Sequence, residues 1–290
     1  MPELPDLEAY VGALDARIHG RMLRRAELRN PFVLRTVDPP LAALEGLPVQ
    51  CVRRQAKRIV LAFPGTLFLV VHLMIAGRLR WIEHGRKPPL RITLATFDFD
   101  DGTLALTEAG TKRRASLHVV RGNDALAQLD PGGAEIDDLD AAAFAARMRS
   151  ENHTLKRALT DPRILSGIGN AYSDEILHRA RLSPLALTSR LDDDAMERLH
   201  AATRDVLHEW TERLRSEAAS TFPDKVTAFR PQMAVHGKFR QPCPVCGTPV
   251  QRIVYAENEC NYCPRCQTNG VVLADRALSR LLHKSFPREI

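Results

Sequence analysis

The chain begins MPELPDLE, which places a proline at position 2 and an acid beside it, directly before a helix start. An initiator methionine that precedes a small residue is normally removed, so we expect the mature chain to begin at Pro2. The ring nitrogen of such a proline is a free secondary amine. The first residues therefore offer an unusual nucleophile.

A second reactive segment lies near the other end, where five of the six cysteines crowd between Cys243 and Cys266. Cys243 and Cys246 form one CxxC pair, and after sixteen intervening residues Cys263 and Cys266 form another. Two such pairs predict a tetrahedral structural zinc site on a β-hairpin. Cys260 also has CxxC spacing to Cys263, so the sequence leaves open which four of these five cysteines are the ligands. A redox or disulfide cluster is the alternative.

Basic residues flank these cysteines: His236, Lys238, Arg240, Arg252 and Arg265. Their number makes a nucleic-acid surface plausible. A solvated charged face explains them equally well.

A glycine-rich turn, Gly167-Ile168-Gly169-Asn170, separates two stretches with helical periodicity. Glycine permits positive φ and close backbone approach, and the free N–H groups of the following helix start bind anions such as a DNA phosphate. The alternative is a plain turn between helices in which Asn170 caps the second helix. The short motif alone favours the plain turn.

The segments between these groups must position them. After Pro5 and Asp6, apolar residues share one face of a predicted amphipathic helix: Leu7, Tyr10, Val11, Leu14 and Ile18. From Val49 to about Val120, short β-rich runs predict a sandwich or barrel, with Asp101-Gly102 as a hairpin turn. A linker around DPGGAEIDDLD follows, and helical periodicity then resumes before the cysteine segment.

Composition narrows the class of protein. The 290 residues carry 41 Lys and Arg against 35 Asp and Glu, a formal net charge of +6 that favours a polyanionic partner. A slightly basic enzyme surface is an equally good interpretation. The sequence shows neither the roughly 20 apolar residues of a membrane span nor the layout of a secretory signal. We therefore expect an intracellular, cytoplasmic protein with no membrane partner.

Four motifs occur in order along the chain: PELPDLE after Met1, the dipeptide Ala56-Lys57, SGIGNAYSDEIL, and VHGKFRQPCPVCGTP leading into the cysteines. Together they resemble the formamidopyrimidine-DNA glycosylase and endonuclease VIII family of base-excision repair enzymes. The likeness extends over nearly the whole chain.

The resemblance implies an α+β multidomain fold with three parts. These are an N-terminal helix with a β-sandwich over 1–130, a helical domain with a helix-two-turns-helix motif over 131–228, and a zinc-finger β-hairpin over 229–290. It also implies a bifunctional DNA glycosylase and AP lyase that removes oxidised or ring-opened bases.

In that reaction Pro2 would attack C1′ of the damaged nucleotide's sugar and expel the base. An α-amino group, with a pKa of about 7.7–8.0, is partly unprotonated near neutrality. The iminium that forms has no N–H to lose, so it acidifies the C2′ proton and permits β- and then δ-elimination. The resemblance makes Glu3 the acid/base catalyst and Lys57 the lysine that grips phosphates near the lesion. Without the resemblance, Glu3 would be interpreted as a carboxylate that stabilises the start of a helix, and Lys57 as an exposed strand residue.

Other positions of the family's pattern imply contacts with DNA. Lys156 and Asn170 match positions that bind backbone phosphate. Met74, or its neighbour Ile75, is expected to fill the space that the damaged base leaves when it flips out of the duplex. A core methionine is an equally good interpretation of Met74.

Two departures concern the contacts with DNA. The family's DPRRF-like loop is replaced by TEAGTKRRAS, so the arginine that faces the orphan base is Arg113 or Arg114. Asn258 replaces a finger arginine of the family and removes a bidentate phosphate clamp, for which Arg252 or Arg265 would have to substitute.

From the resemblance we expect damaged double-stranded DNA as partner, one structural zinc ion, a monomer and a nucleoid-associated location. The first alternative is a catalytically weak or inactive DNA-damage-binding protein of the same fold. The second is a zinc-ribbon transcription or RNA-binding factor.

Overall fold

A computed structural model describes residues 1–224, 226–255 and 258–273. The chain divides into two compact units. Unit 1 contains Met1–Pro131 and Trp210–Thr227, and unit 2 contains Gly132–Glu209 and the described residues from Ala228 onward. The three domain ranges expected from the sequence stay a prediction, because the two units are defined by contacts between residues and do not correspond to those three ranges.

The N-terminal helix α1 spans Leu4–Ile18, where the sequence predicts it. Pro5 lies in the first turn, where its missing N–H removes no hydrogen bond, and the Glu3 N–H donates to Asp6 Oδ2 at 3.0 Å. The predicted apolar face is confirmed, since its main members are fully buried: Leu7, Tyr10, Leu14 and Ile18.

Two four-stranded antiparallel sheets follow. Sheet 1 consists of β1 Arg25–Leu28, β5 Gly77–Glu83, β6 Thr93–Phe99 and β7 Gly102–Glu108. Sheet 2 consists of β2 Cys51–Gln55, β3 Arg58–Phe63, β4 Leu67–His72 and β8 Ser116–Arg121. The strand orders are β1-β6-β7-β5 and β2-β3-β4-β8. The hairpin predicted at Asp101-Gly102 joins β6 to β7.

One continuous hydrophobic core joins α1 to the inner faces of both sheets. Its members include Tyr10 and Leu14 of α1, Ile59, Leu61, Leu69 and Val71 of sheet 2, and Phe97, Leu104 and Leu106 of sheet 1. Burial of each large side chain stabilises the fold by about 1.5–3 kcal/mol. Of the two predicted β arrangements, the sandwich is therefore the one that forms.

A short helix that the sequence analysis did not predict, α2 Asn123–Ala127, precedes the linker. The helices after the linker agree with the periodicity of the sequence: α3 Ala141–Arg149, α4 Leu155–Thr160, α5 Asn170–Ala180 and α6 Asp193–Ser220. The finger contributes β9 Gln251–Tyr255, β10 Asn258–Tyr262 and α7 Pro264–Thr268, and β9 and β10 pair antiparallel. Within the described ranges, every helix is too short or too polar to cross a membrane.

The tight turn before β5 generates a prediction, because it leaves no room for a side chain at Gly77. A Cβ there would overlap the Leu73 carbonyl oxygen, whereas a Cβ at Gly12 in α1 would meet no heavy atom within 4 Å. We expect Gly77→Ala to lower the free energy of unfolding by about 1–3 kcal/mol. The matched control, Gly12→Ala, should raise it by up to about 1 kcal/mol. Urea denaturation measures both; equal effects of the two substitutions would contradict this account of the turn.

Candidate functional site

Pro2 and Glu3 are both buried at the start of α1. The amino group in the structure belongs to Met1. Burial lowers the pKa of this amine below its ordinary value, and the positive charges of Arg78 and Lys57 lower it further, while nearby carboxylates act in the opposite direction. A lowered pKa increases the fraction of neutral amine near pH 7. This end of the chain is therefore an environment that favours a nucleophilic amine.

Lys57 lies in the turn between β2 and β3, directly after Ala56, whose φ is 49°. Burial lowers the pKa of Lys57, and the Glu3 carboxylate acts to raise it. Glu3 is thus close enough to influence both Lys57 and the terminal amine. Arg54 fixes the turn, because its Nη1 donates to Ala56 O at 3.0 Å and its Nε donates to Glu8 Oε1 at 2.8 Å.

The turn between β4 and β5 carries the two candidates for the space-filling residue. Met74 has a left-handed φ of 53° and is half-buried, whereas the Ile75 side chain is 57% exposed. The turn is closed by the Gly77 N–H, which donates to Leu73 O at 2.9 Å, and Arg78 Nη1 donates to Ile75 O at 3.1 Å. Of the two apolar side chains in this turn, Ile75 is therefore the more exposed.

The loop after β7 carries both candidate arginines, and both are exposed. Its backbone is fixed by the buried Glu108 carboxylate, which accepts from the Arg114 N–H at 2.9 Å and from the Ala115 N–H at 3.0 Å. Arg113 Nη2 donates to Arg91 O at 2.8 Å. No described contact engages the Arg114 guanidinium, so the geometry alone does not choose between Arg113 and Arg114.

The glycine-rich turn leads into α5, and Gly169 is the residue before its first turn. The Asn170 side chain caps no helix here, because its Nδ2 donates to Glu259 O of β10 at 2.8 Å. Lys156 Nζ donates to Asn170 O at 2.6 Å and to Asp174 Oδ1 at 2.5 Å. The predicted phosphate contacts of Lys156 and Asn170 stay predictions, since both side chains already have partners within unit 2.

Two adjacent carboxylates on α5 are buried. Asp174 Oδ2 accepts from the ring of His236 at 2.8 Å and from the Asn261 N–H at 3.1 Å. Burial alone would raise the pKa of Asp174, but Lys156 and His236 outweigh it, and the pKa is lowered.

Its neighbour Glu175 binds the loop that precedes the finger. Its carboxylate accepts three backbone N–H groups, from residues 234, 235 and 236, at 2.7–2.9 Å. Burial raises the pKa of Glu175, and these hydrogen bonds oppose the increase. The two acids together thus attach the finger to α5.

The four predicted zinc ligands come together at the base of the finger: Cys243, Cys246, Cys263 and Cys266. Their sulfur atoms all lie within 4.8 Å of one another. Zinc binds thiolates tetrahedrally at about 2.3 Å, so this donor set fits one structural zinc ion. The alternative ligand Cys260 is excluded, because it lies on β10 in a separate apolar cluster with Ile253 and Tyr262.

A histidine of α5 touches this cysteine cluster. His178 Nε2 lies 3.3 Å from Cys243 Sγ, and the side chain is buried. Burial lowers the pKa of His178 to about 4, and the charges of Arg179 and Arg181 contribute to the decrease. A neutral imidazole at this position can donate its N–H to a cysteine sulfur, which links the finger to α5 a second time.

Three family models match consecutive parts of the chain. They describe the formamidopyrimidine-DNA glycosylase N-terminal domain at residues 1–115, the H2TH domain of that glycosylase at 130–220, and a zinc finger found in FPG and IleRS at 240–269. The formamidopyrimidine-DNA glycosylase of Symbiobacterium thermophilum is 31% identical over 290 residues, covering 95% of this chain and 93% of the relative. The chain belongs to the formamidopyrimidine-DNA glycosylase family.

Other members of the family agree in sequence and in fold. A formamidopyrimidine-DNA glycosylase of Thermus thermophilus is 33% identical over 282 residues, covering 93% of this chain and 100% of the relative. A crystal structure of the Lactococcus lactis glycosylase bound to DNA with an abasic site has a TM-score of 0.79 at 23% identity, covering 92% of this chain and 99% of that one. A second, with DNA that contains Fapy-dG, has a TM-score of 0.82 at 24% identity, covering 92% and 100%. The fold of this glycosylase family member is the fold of those structures.

Sequence reasoning missed the part that Asp174, Glu175 and His236 play in this arrangement. His236 stands among basic residues that suggested a surface, yet it is buried against Asp174. The available signal was the pair of adjacent acids in SDEIL, which is flanked by the apolar residues Ala171, Tyr172, Ile176 and Leu177. Carboxylates that are buried with such neighbours need hydrogen-bonding or charged partners.

Removing the Asp174 carboxylate should therefore destabilise unit 2. Asp174→Ala leaves Lys156 and His236 without their shared acceptor, and we expect a loss of about 3–5 kcal/mol in the free energy of unfolding. Because the pKa of Asp174 is lowered in the fold, its contribution is present at neutral pH and is lost as pH falls below about 4. Urea denaturation at neutral pH measures the loss. The control Asp205→Ala removes an exposed acid of α6; an equal loss there would refute the role assigned to Asp174.

Proposed function

We propose that this chain is a bifunctional DNA glycosylase and AP lyase of base excision repair that removes oxidised or ring-opened bases from duplex DNA. The observation that carries the proposal is the buried Pro2-Glu3 pair beside Lys57 in a chain of the formamidopyrimidine-DNA glycosylase family. Relatives carry that enzyme's name, and the crystallised Lactococcus lactis protein is bound to damaged DNA.

Removal of Met1 would leave the Pro2 nitrogen as the terminal amine. Its lone pair attacks C1′, the glycosidic bond breaks, and the base leaves with the bonding electrons and takes up a proton. Opening of the sugar ring gives an iminium between Pro2 and C1′. The burial and positive charges that lower the pKa of the Met1 amine would act on the Pro2 nitrogen, one residue away, and keep it neutral.

Glu3 is assigned the proton transfers. Its carboxylate is next to the nucleophile and acts electrostatically on both the amine and Lys57. A carboxylic acid or carboxylate at this place can protonate the opening sugar and later accept the C2′ proton. Loss of that proton expels the 3′ phosphate by β-elimination, and a second elimination expels the 5′ phosphate.

The remaining predicted residues are assigned to DNA. Lys57 binds a phosphate near the lesion, the start of α5 with Asn170 and Lys156 approaches the backbone, and Arg113 or Arg114 faces the orphan base. Zinc held by the four cysteines cross-links the finger and supplies no chemistry to the reaction. These assignments divide the chain into functional regions at 1–130, 131–228 and 229–290.

The proposed partner is damaged double-stranded DNA, bound by a monomer. The net charge of +6 supports a polyanionic partner. A cytoplasmic, nucleoid-associated location follows from that partner and belongs to the same proposal.

A DNA-damage-binding protein without productive chemistry is the second candidate. The observation that favours it is Asn258, an exposed residue at the start of β10 where the family pattern has an arginine. Arg252 on the neighbouring strand is no free replacement, because it pairs with Glu259 at 3.1 Å and lies 4.3 Å from the ring centre of Phe239.

Borohydride trapping distinguishes the two candidates. Untagged, Met-processed protein is incubated with a duplex that contains one abasic site, and reduction converts the iminium into a stable covalent adduct. We expect a protein–DNA band that Pro2→Gly abolishes and that Pro5→Gly, the same change three residues later, retains. Binding of the duplex without any trapped band would favour the damage-binding candidate.

The exposed Ile75 side chain makes a separate prediction about base flipping. We propose that Ile75, and not Met74, fills the space of the flipped base. Ile75→Ala should then slow excision of a damaged base from a duplex by about tenfold or more, because flipping costs a few kcal/mol. Cleavage at a pre-formed abasic site should change much less. Met74→Ala is the matched control, and a larger effect there on single-turnover excision would reverse the assignment.

A further inference from the structure

Arg78 connects two segments of unit 1 that are far apart in the sequence. It is half-buried at the start of β5, directly after the turn that carries Ile75. Its Nε donates to Val226 O at 2.7 Å, and its Nη1 donates to Gly77 O at 2.7 Å and to Ile75 O at 3.1 Å. Val226 lies after α6, 148 positions further along the chain. One guanidinium thus fixes the turn with Ile75 to the segment that follows α6.

The segment after α6 is in turn packed against α1, the helix at the N-terminus. Val226 belongs to the same hydrophobic core as Tyr10 of α1. Phe222, also after α6, has its ring centre 5.9 Å from that of Tyr10. Arg78 therefore belongs to a continuous set of contacts that joins the helix at the N-terminus to the turn with Ile75.

The positive charge of Arg78 also acts on the terminal amine. Burial is the main cause of the lowered pKa of the Met1 amine; Arg78 and Lys57 lower it further, whereas Glu3 and Asp6 act in the opposite direction. Of the two cations, Arg78 has the larger effect. Because the interaction of two charges weakens with distance, the guanidinium that fixes the turn is also close enough to influence the amine.

We propose that Arg78 is a positioning residue, which holds the turn with Ile75 and the N-terminal amine in one fixed arrangement during base excision. The proposal rests on the function proposed above, in which Pro2 attacks C1′ and Ile75 fills the space of the flipped base. An error of about 1 Å in the position of an attacking group can slow a reaction by about 10²-fold. A fixed connection between the space-filling side chain and the nucleophile therefore allows flipping to bring C1′ to the amine.

Arginine is suited to this position because one planar guanidinium offers five N–H donors in a fixed geometry. Lysine keeps the positive charge, but its ammonium is a compact charge on a flexible chain and does not reproduce the bonds to three carbonyl oxygens. Glutamine loses the charge and most of the donors. Arg78→Lys therefore tests the positioning, and the difference between Arg78→Lys and Arg78→Gln tests the charge.

Single-turnover excision with saturating enzyme measures the positioning. We expect Arg78→Lys to slow removal of a damaged base from a duplex by about tenfold, because the turn with Ile75 is no longer fixed. Cleavage at a pre-formed abasic site should slow by less than about threefold, since no base has to be flipped. In an Ile75→Ala background, Arg78→Lys should slow excision by less than about threefold, because Arg78 is proposed to act through that side chain.

The pH profile of borohydride trapping measures the effect of the charge. Trapping on an abasic-site duplex requires the neutral amine, so its rate should increase with pH and become constant above the pKa of the amine. Loss of the positive charge in Arg78→Gln favours the protonated amine and raises its pKa. The midpoint of the profile should therefore move to higher pH by up to about one unit, whereas Arg78→Lys should keep the wild-type midpoint. A residue that only stabilises the fold would change the yield of folded protein and not this midpoint.

Arg121→Gln is the matched control, because Arg121 is an exposed arginine that pairs with Leu67, at the end of β4 opposite to the turn with Ile75. It should leave both the excision rate and the midpoint unchanged, and urea denaturation verifies that every variant is folded. Equal effects of Arg121→Gln and Arg78→Gln would mean a general charge effect and would overturn the proposal.

Three further results would overturn it: a wild-type excision rate in Arg78→Lys, an unchanged midpoint in Arg78→Gln, or an equal slowing by Arg78→Lys with and without the Ile75 side chain. A wild-type rate in Ile75→Ala would do the same, because the proposal depends on that side chain. Wild-type protein that forms no trapped adduct would instead contradict the proposed function, and this proposal with it.

Discussion

The buried carboxylates of Asp174 and Glu175 are the constraint on which unit 2 depends. A charged group that is buried away from water needs hydrogen-bonding or oppositely charged partners. The partners of Asp174 are Lys156, His236 and the Asn261 N–H. The Glu175 carboxylate accepts hydrogen bonds from backbone N–H groups of the loop that precedes the finger. Two neighbouring residues of α5 therefore determine where α4, the finger hairpin and the connecting loop lie. The zinc site holds the hairpin together, but the carboxylates attach it to the helix whose first turn is assigned to DNA.

In unit 1, by contrast, the proposed chemistry needs a buried amine that stays neutral. Neutrality requires burial and neighbouring positive charge, yet a charged lysine nearby also has to be stabilised. Glu3 meets only the second requirement: its carboxylate stabilises the charged form of Lys57 but also raises the pKa of the terminal amine, and burial outweighs that effect on the amine. The helix that carries Glu3 is held by Glu8, which pairs with Arg54 at 2.8 Å and with Arg215 at 3.0 Å.

Local patterns in the sequence predicted α1, the β-rich segment, the later helices and the two CxxC pairs, because each depends on residues close together in the chain. Local patterns left open the role of Cys260 and the choice between Met74 and Ile75, and they suggested the wrong environment for His236. These features depend on the fold around each residue. Cys260 has ligand spacing, but strand pairing turns it toward Ile253. The turn exposes Ile75 more than Met74, and the choice between them stays a prediction. His236 looks like a surface cation until Asp174, 62 positions away, buries it.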